Sequence, residues 1–338
     1  MYKIKMTDLE KLSKVAKSFK GQMIFIQEET NKVFITDLED YFFVPAITSG
    51  DKITLKYEKQ FDTIVSFFKK QKVDEVEVNQ ENFKSGSIVF NHLFYQNDNR
   101  LDISLLNEKE YKKIGGYGVL KQMLDLQPFS SKDLGRYVLN GVAIKDGAIV
   151  ATDGRRLSLY TIADETINII ASNQTIKICG IVFKNITNLD CKINDKFIYF
   201  SDGQSEYFGR FIDGVFPNWK QIMPEDKKIK YTYFIENGND LFELVERLKI
   251  KAKKEDIKRL VFYFSDNKIE ITNEIDMKLE YITKNITGQE PIIVPLNQNY
   301  LDFLKDTKTI KISFVDNQSP IQFEDEVRRT IIMPMRKI

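Results

Sequence analysis

The first apolar residues of the chain are spaced for a helix: Leu9, Leu12, Val15, Ala16 and Phe19 share one face, and Lys11, Lys14, Lys17 and Lys20 fall between them. A two-residue period then takes over. MIFIQ, KVFITD, YFFVPA and KITLKY read as strands, and a second helix is expected over residues 61–70. VDEVEV and SGSIVFNHLFY close this stretch near residue 98.

Past the polar break QNDNR the layout restarts. A helical segment is expected over residues 107–123, interrupted by GGYG, followed by strands GVAIKD, GAIVATD and RRLSLYTI. TIKI, an apolar patch GIVFKNI, and the pair KFIYFSDG and SEYFGRFID lead to the Pro-bearing stretch FPNWKQIMPEDKK, which ends near residue 225. In the last third, KYTYFIE precedes a helix expected over residues 240–254. LVFYFSDNKIEITN reads as a hairpin with an Asp-Asn turn, and a further helix is expected over 299–305 before TIKISFVDN and RRTIIMPMRKI. Strands outnumber helices and the connections are short. The pattern predicts an α+β architecture of three similar domains, residues 1–98, 99–225 and 226–338, and does not fit a doubly wound nucleotide-binding sheet.

A length of 338 residues supports such a division, and the 12% aromatic content, 25 Phe and 15 Tyr, suits many short strands. Lys+Arg total 50 against 49 Asp+Glu, a net charge of +1, so any grip on a polyanion is expected to be local and weak. Cys179 and Cys191 have no metal-ligand spacing and read as core thiols of a reducing compartment. The chain shows no secretory h-region and no run of eighteen apolar residues, so the expected location is cytoplasmic.

Catalytic chemistry is hard to find. His92, the only histidine, lies in the apolar run IVFNHLFY, where a packed ring is the expectation. There is no HExxH, Walker A or dinucleotide loop, and GGYG lacks the Lys-Ser/Thr of a phosphate loop. Asp37, Glu39 and Asp40 could hold a metal or form a solvated strand end; the latter is expected. Asp153-Gly154 in ATDGRRL is a turn signal with no histidine or cysteine nearby to act as a base. No catalytic, cofactor or metal site is assigned.

From Arg136 onward the chain resembles the bacterial DNA polymerase III beta subunit, the sliding clamp family. RYVLNGVAI, ATDGRRLSL, FIDGVFPNWKQIMP and the terminal IIMPMRKI follow that family's signature segments in order and spacing, and VFITDLED looks like a first-domain counterpart of the ATDG segment. The resemblance implies three tandem similar clamp domains, the first divergent and short, with helices lining a ring and antiparallel sheets outside. It further implies a head-to-tail homodimer around double-stranded DNA. The replicative polymerase and clamp loader, with ligase and repair proteins as further partners, would dock through short linear motifs. No membrane partner is implied.

Carried over position by position, the resemblance places Arg136, Leu139, Thr152, Gly154, Arg155, Arg156, Leu157, Pro224, Ile229, Ile331, Met333, Pro334, Met335 and Arg336 around a peptide pocket. Lys11, Lys14, Lys17, Lys20, Lys112, Lys113, Tyr137, Arg247, Lys249, Lys251, Lys253 and Lys254 would face DNA. The chain departs from the family at Arg155, where histidine is usual, at Val138, where an aromatic is usual, and in the Asp133 charge and the extra Lys337 before Ile338. Two alternatives stay open: a clamp-like adaptor that binds peptides without encircling DNA, and a metal-dependent nuclease.

Overall fold

The computed structural model describes residues 1–19, 23–27, 31–48, 53–92, 106, 110–248, 259–273, 278–282, 284–287, 290–305 and 307–336. Packing divides the chain into two compact units, each discontinuous: residues 1–127 with 169–213, and residues 128–168 with 214–338. The middle third of the sequence contributes to both.

In the first unit, helix α1 (Met6–Ala16) buries Met6, Leu9, Leu12, Val15 and Ala16, as its spacing requires, and helix α2 (Lys59–Lys70) buries Phe61, Ile64, Val65 and Phe68. The two helices meet through a polar link. Ser13 Oγ donates to Asp62 Oδ1 at 2.7 Å, and Tyr57 Oη donates to the other carboxylate oxygen at 2.6 Å. Helix α3 (Tyr117–Leu126) begins later than its sequence suggests, because Lys112–Gly115 forms a strand. Helix α4 (Asn173–Val182) takes in TIKI and the start of the apolar patch GIVFKNI. Ser172 caps it by accepting from Thr175 N–H at 3.0 Å, and Thr175, Ile176, Ile178, Cys179 and Val182 are buried.

An eight-stranded antiparallel sheet runs through this unit in the order Lys112–Gly115, Asp190–Ile193, Phe197–Ser201, Glu206–Arg210, Tyr41–Pro45, Lys32–Thr36, Met23–Gln27, Ile53–Lys56. Its middle pairing sets Tyr41, Phe42 and Phe43 opposite Phe208, Tyr207 and Glu206. Phe43 packs across the joint, meeting Phe208 edge-on at 5.6 Å, and on its own side stacks on Phe34 at 4.8 Å. A second, five-stranded sheet contains Tyr2–Lys5 and Asn82–Ser85. There His92 is a packed ring, 4.9 Å from Phe83 with Nε2 3.2 Å from the Asn79 carbonyl, and burial lowers its pKa.

Asp40 is not on a solvated strand end. It is 3% exposed beside that joint. Tyr207 Oη donates to its carboxylate at 2.6 Å, Thr175 Oγ1 at 3.3 Å and Arg210 N–H at 3.0 Å. Desolvation outweighs these donors, and with the nearby Asp37 charge it pushes the Asp40 pKa up to about 7. Among the described residues no cluster of three or more His, Cys, Asp or Glu could hold a metal.

In the second unit, strands Gly141–Lys145, Ala148–Thr152, Arg156–Thr161, Arg328–Ile332, Ile321–Glu324, Ile310–Phe314, Tyr231–Ile235 and Lys284–Thr287 lie side by side in that order. A four-stranded sheet, Lys278–Ile282, Lys268–Thr272, Arg259–Ser265 and Ile292–Asn297, packs with them around Tyr233, Phe262, Phe264 and Phe314. Helix α5 (Gly238–Leu248) buries Leu241, Val245 and Leu248; the rest of its expected span lies outside the described residues. The helix expected at 299–305 is two short 3-10 turns, Gln298–Tyr300 and Asp302–Leu304. Among the described residues no helix is long and apolar enough to cross a membrane.

Candidate functional site

The hairpin turn after Ala148–Thr152 organises one region of the second unit. Asp153 Oδ1 accepts from the N–H groups of Arg155 at 2.9 Å and Arg156 at 3.0 Å. Thr152 Oγ1 accepts from Gly154 N–H at 3.0 Å and donates to the Arg156 carbonyl at 2.7 Å. Gly154 takes φ +85°, and a Cβ there would stand 3.0 Å from Arg136 Nη1, so both backbone shape and space favour glycine. The first unit repeats this turn: Thr36 Oγ1 accepts from Leu38 N–H at 2.8 Å and donates to the Asp40 carbonyl at 2.7 Å, and Asp37 Oδ1 accepts from Asp40 N–H at 2.9 Å. There Leu38 holds the left-handed position, at φ +79°.

Arg156 is pinned rather than free. Its Nε meets Asp153 Oδ2 at 3.0 Å and its Nη2 donates to the Pro128 carbonyl at 2.6 Å. The guanidinium carbon lies 4.9 Å from the Phe129 ring centre and 4.8 Å from that of Tyr300. A planar cation between two rings, with two directed hydrogen bonds, is a rigid wall element that lysine cannot imitate. Arg136 is more exposed, held 3.6 Å from Asp133, whose other oxygen accepts from Gly135 N–H at 2.9 Å and caps the 3-10 turn Leu134–Leu139.

Strand Arg156–Thr161 pairs antiparallel with Arg328–Ile332, setting Leu157 opposite Ile331. The Ser158 and Thr330 hydroxyls bond at 2.8 Å, and Met333 N–H donates to the Arg155 carbonyl at 2.9 Å, which brings the C-terminal strand to the turn. Between them is a cavity of about 330 Å³, lined by Leu139, Thr152, Gly154, Arg155, Arg156, Leu157, Ile331 and Met333, with Pro217, Asn218, Trp219 and Ile222. Leu157 and Ile331 form a buried floor, whereas Met333, 39% exposed, stands at the rim.

The last four of those lining residues were not expected. Their signal was an apolar pair three apart, Trp219 and Ile222, within the Pro-bearing stretch FPNWKQIMP. The placement of Pro224 and Ile229 is corrected: the 3-10 turn Trp219–Ile222 ends at an extended Met223, and the chain beyond it lines a separate cleft of about 810 Å³. Pro334, Met335 and Arg336 also lie off the cavity. Met335 N–H donates to the Pro295 carbonyl at 2.8 Å, and the Arg336 carbonyl accepts from Arg259 Nη2 at 3.4 Å.

The basic positions fall in several settings. In α1, Lys11 Nζ donates to Ser205 Oγ at 2.8 Å and lies 3.5 Å from Asp8, and Lys17 lies 3.8 Å from Asp62, while Lys14 is exposed. Lys112 and Lys113 are on a strand instead of a helix, and Lys113 pairs with Asp190 at 2.6 Å. In the second unit Tyr137 is exposed on its 3-10 turn, and Arg247 lies 3.8 Å from Glu243. Lys20, Lys249, Lys251, Lys253, Lys254 and the extra Lys337 lie outside the described residues.

No family model matches the chain. It is similar to the protein named beta sliding clamp of Treponema pallidum, 28% identical over a match covering 64% of this chain and 63% of that protein. The beta sliding clamp of Halalkalibacterium halodurans is 23% identical, with 84% of this chain and 82% of that protein covered. Among solved structures, the DNA polymerase III beta subunit of Thermotoga maritima superimposes with a TM-score of 0.81 at 20% identity, over 100% of both chains. In sequence over most of its length, and in fold over all of it, the chain is similar to the beta sliding clamps.

Proposed function

We propose that the chain is a DNA sliding clamp, a non-catalytic replication processivity factor working in the cytoplasm, that encircles duplex DNA as a head-to-tail homodimer and tethers a polymerase. Three clamp domains, at residues 1–98, 99–225 and 226–338, would form each half of the ring. The observation that carries the reading is the apolar cavity between the Thr152–Arg156 turn and the C-terminal strand. Its buried Leu157 and Ile331 suit the apolar anchors of a short linear motif, and the exposed thioether of Met333 adapts to different partners. Polymerase and clamp loader are the primary partners, with ligase and repair proteins using the same motif.

The basic side chains support a loose hold on phosphates. Lys11, Lys17, Lys113 and Arg247 each lie within ion-pair distance of a carboxylate, which leaves little charge for a tight, site-specific grip. A protein that slides needs phosphate contacts without base-edge contacts, and enclosure supplies the retention. The test is retention of the loaded protein on nicked circular DNA before and after linearisation, with a matched clamp loader. A ring is lost when the DNA is cut. Equal retention on both forms, or a strict monomer by sedimentation at micromolar concentration, would instead identify a peptide-binding adaptor that does not encircle DNA.

A further inference from the structure

The 330 Å³ cavity is apolar at its floor and carries charge of one sign around it. Among the described residues that line it there is no carboxylate, and its charged members are two arginines, Arg155 and Arg156. The two differ in how their charge is answered. Arg156 is half-buried and held 3.0 Å from Asp153, so its partner is inside the protein. Arg136, whose Nη1 lies over Gly154, likewise has its own carboxylate in Asp133, at 3.6 Å. Arg155 is exposed and forms no ion pair among the described residues. Its backbone, by contrast, is fixed on both sides. The N–H donates to Asp153 Oδ1 at 2.9 Å, and the carbonyl accepts from Met333 N–H at 2.9 Å. An unanswered guanidinium is thereby rooted beside the rim residue Met333.

We propose that Arg155 is a specificity-determining residue for the partner peptide, selecting sequences in which an acidic side chain flanks the apolar anchors. This rests on the reading of the cavity as a peptide site. The choice of an acid follows from charge complementarity: the lining offers cations only, and the guanidinium of Arg155 has no carboxylate of its own. Its planar fork suits a carboxylate, which accepts two parallel N–H groups at once. Position follows from the chain. Arg155 stands two residues before the floor residue Leu157, a span of about 7 Å, so the acid belongs within two residues of an anchor. Because this guanidinium is exposed, the pair is a modest contribution on top of the apolar anchors and is screened by salt.

The experiment uses two end-capped synthetic peptides of the same size, one with Leu and Phe anchors flanked on both sides by Asp, the other with Asn in place of each Asp. Both are titrated into the full chain and into its Arg155→Gln and Arg155→Lys variants. The quantity read is the ratio of the two affinities within each protein, which cancels whatever a substitution does to the cavity itself. In the parent the Asp peptide should bind about 2- to 5-fold more tightly than the Asn peptide, the worth of one exposed ion pair. That ratio should fall towards one in Arg155→Gln and recover in Arg155→Lys, which keeps the charge. In the parent it should also shrink as salt is raised from about 0.05 M to about 0.5 M. A ratio that persists in Arg155→Gln, or the absence of any preference in the parent, overturns the proposal and leaves the peptide site standing. If neither peptide binds the parent, the peptide site falls and this proposal with it.

Discussion

Two left-handed positions in the repeated turn are filled differently, and the difference is measurable. Gly154 has no Cβ to strain at φ +85°, whereas Leu38 carries one at φ +79° while its side chain stays largely exposed. Leu38→Gly should therefore raise stability by about 1 kcal/mol, and Gly154→Ala should lower it by a similar amount, both read from urea unfolding midpoints. Within the cavity, Met333→Ala should weaken a bound peptide by about 2 kcal/mol and leave the melting temperature nearly unchanged, because Met333 is a rim residue. An unaltered peptide affinity would sink the assignment. Asp40 yields a pH prediction. Its pKa is raised to about 7 from the ordinary 3.8, so the folded state holds a proton that the unfolded chain releases. The stability linked to this group is full below about pH 4 and is lost as pH rises through 7. In Asp40→Asn that part of the pH slope should be absent when unfolding is compared at pH 5 and pH 8.

At the scale of elements, amphipathic segments were legible and fully buried ones were not. Helices α1 and α2 keep one apolar and one charged face, so their period survives in the sequence. Helix α4 is buried on most sides and rich in isoleucine, so TIKI and GIVFKNI show no one-sided period that would announce a helix. Gly180 inside it is a packing contact: a Cβ there would lie 2.6 Å from a Leu124 methyl of helix α3. GGYG suggested an interrupted helix because glycine marks a break without saying which kind. Gly116 is the single residue between strand Lys112–Gly115 and helix α3, and a Cβ on it would meet the Leu189 carbonyl oxygen at 2.4 Å. Since that oxygen is backbone and cannot yield cheaply, Gly116→Ala should lower stability by about 2 kcal/mol or more, seen as a reduced melting temperature. The cavity was legible where a turn motif and a strand motif carry it. It was misjudged along FPNWKQIMP, because only the 3-10 turn decides that Pro217 and Ile222, and not Pro224, face inward.

For the whole molecule, the near balance of 50 basic and 49 acidic side chains sets the expected behaviour on DNA. Reversing Lys14 and Arg247 together to glutamate should shorten retention on closed circular DNA while peptide affinity stays at the parent value; retention at the parent level would show that these residues are not on the inner face. The pairing of Arg156–Thr161 with Arg328–Ile332 carries one more consequence. The hydroxyl bond that stitches these strands joins residues 172 apart in sequence, and the same pairing sets Leu157 opposite Ile331 in the cavity floor. The cavity is therefore a long-range feature: it exists only while the C-terminal strand stays paired, and local release of that strand removes its floor.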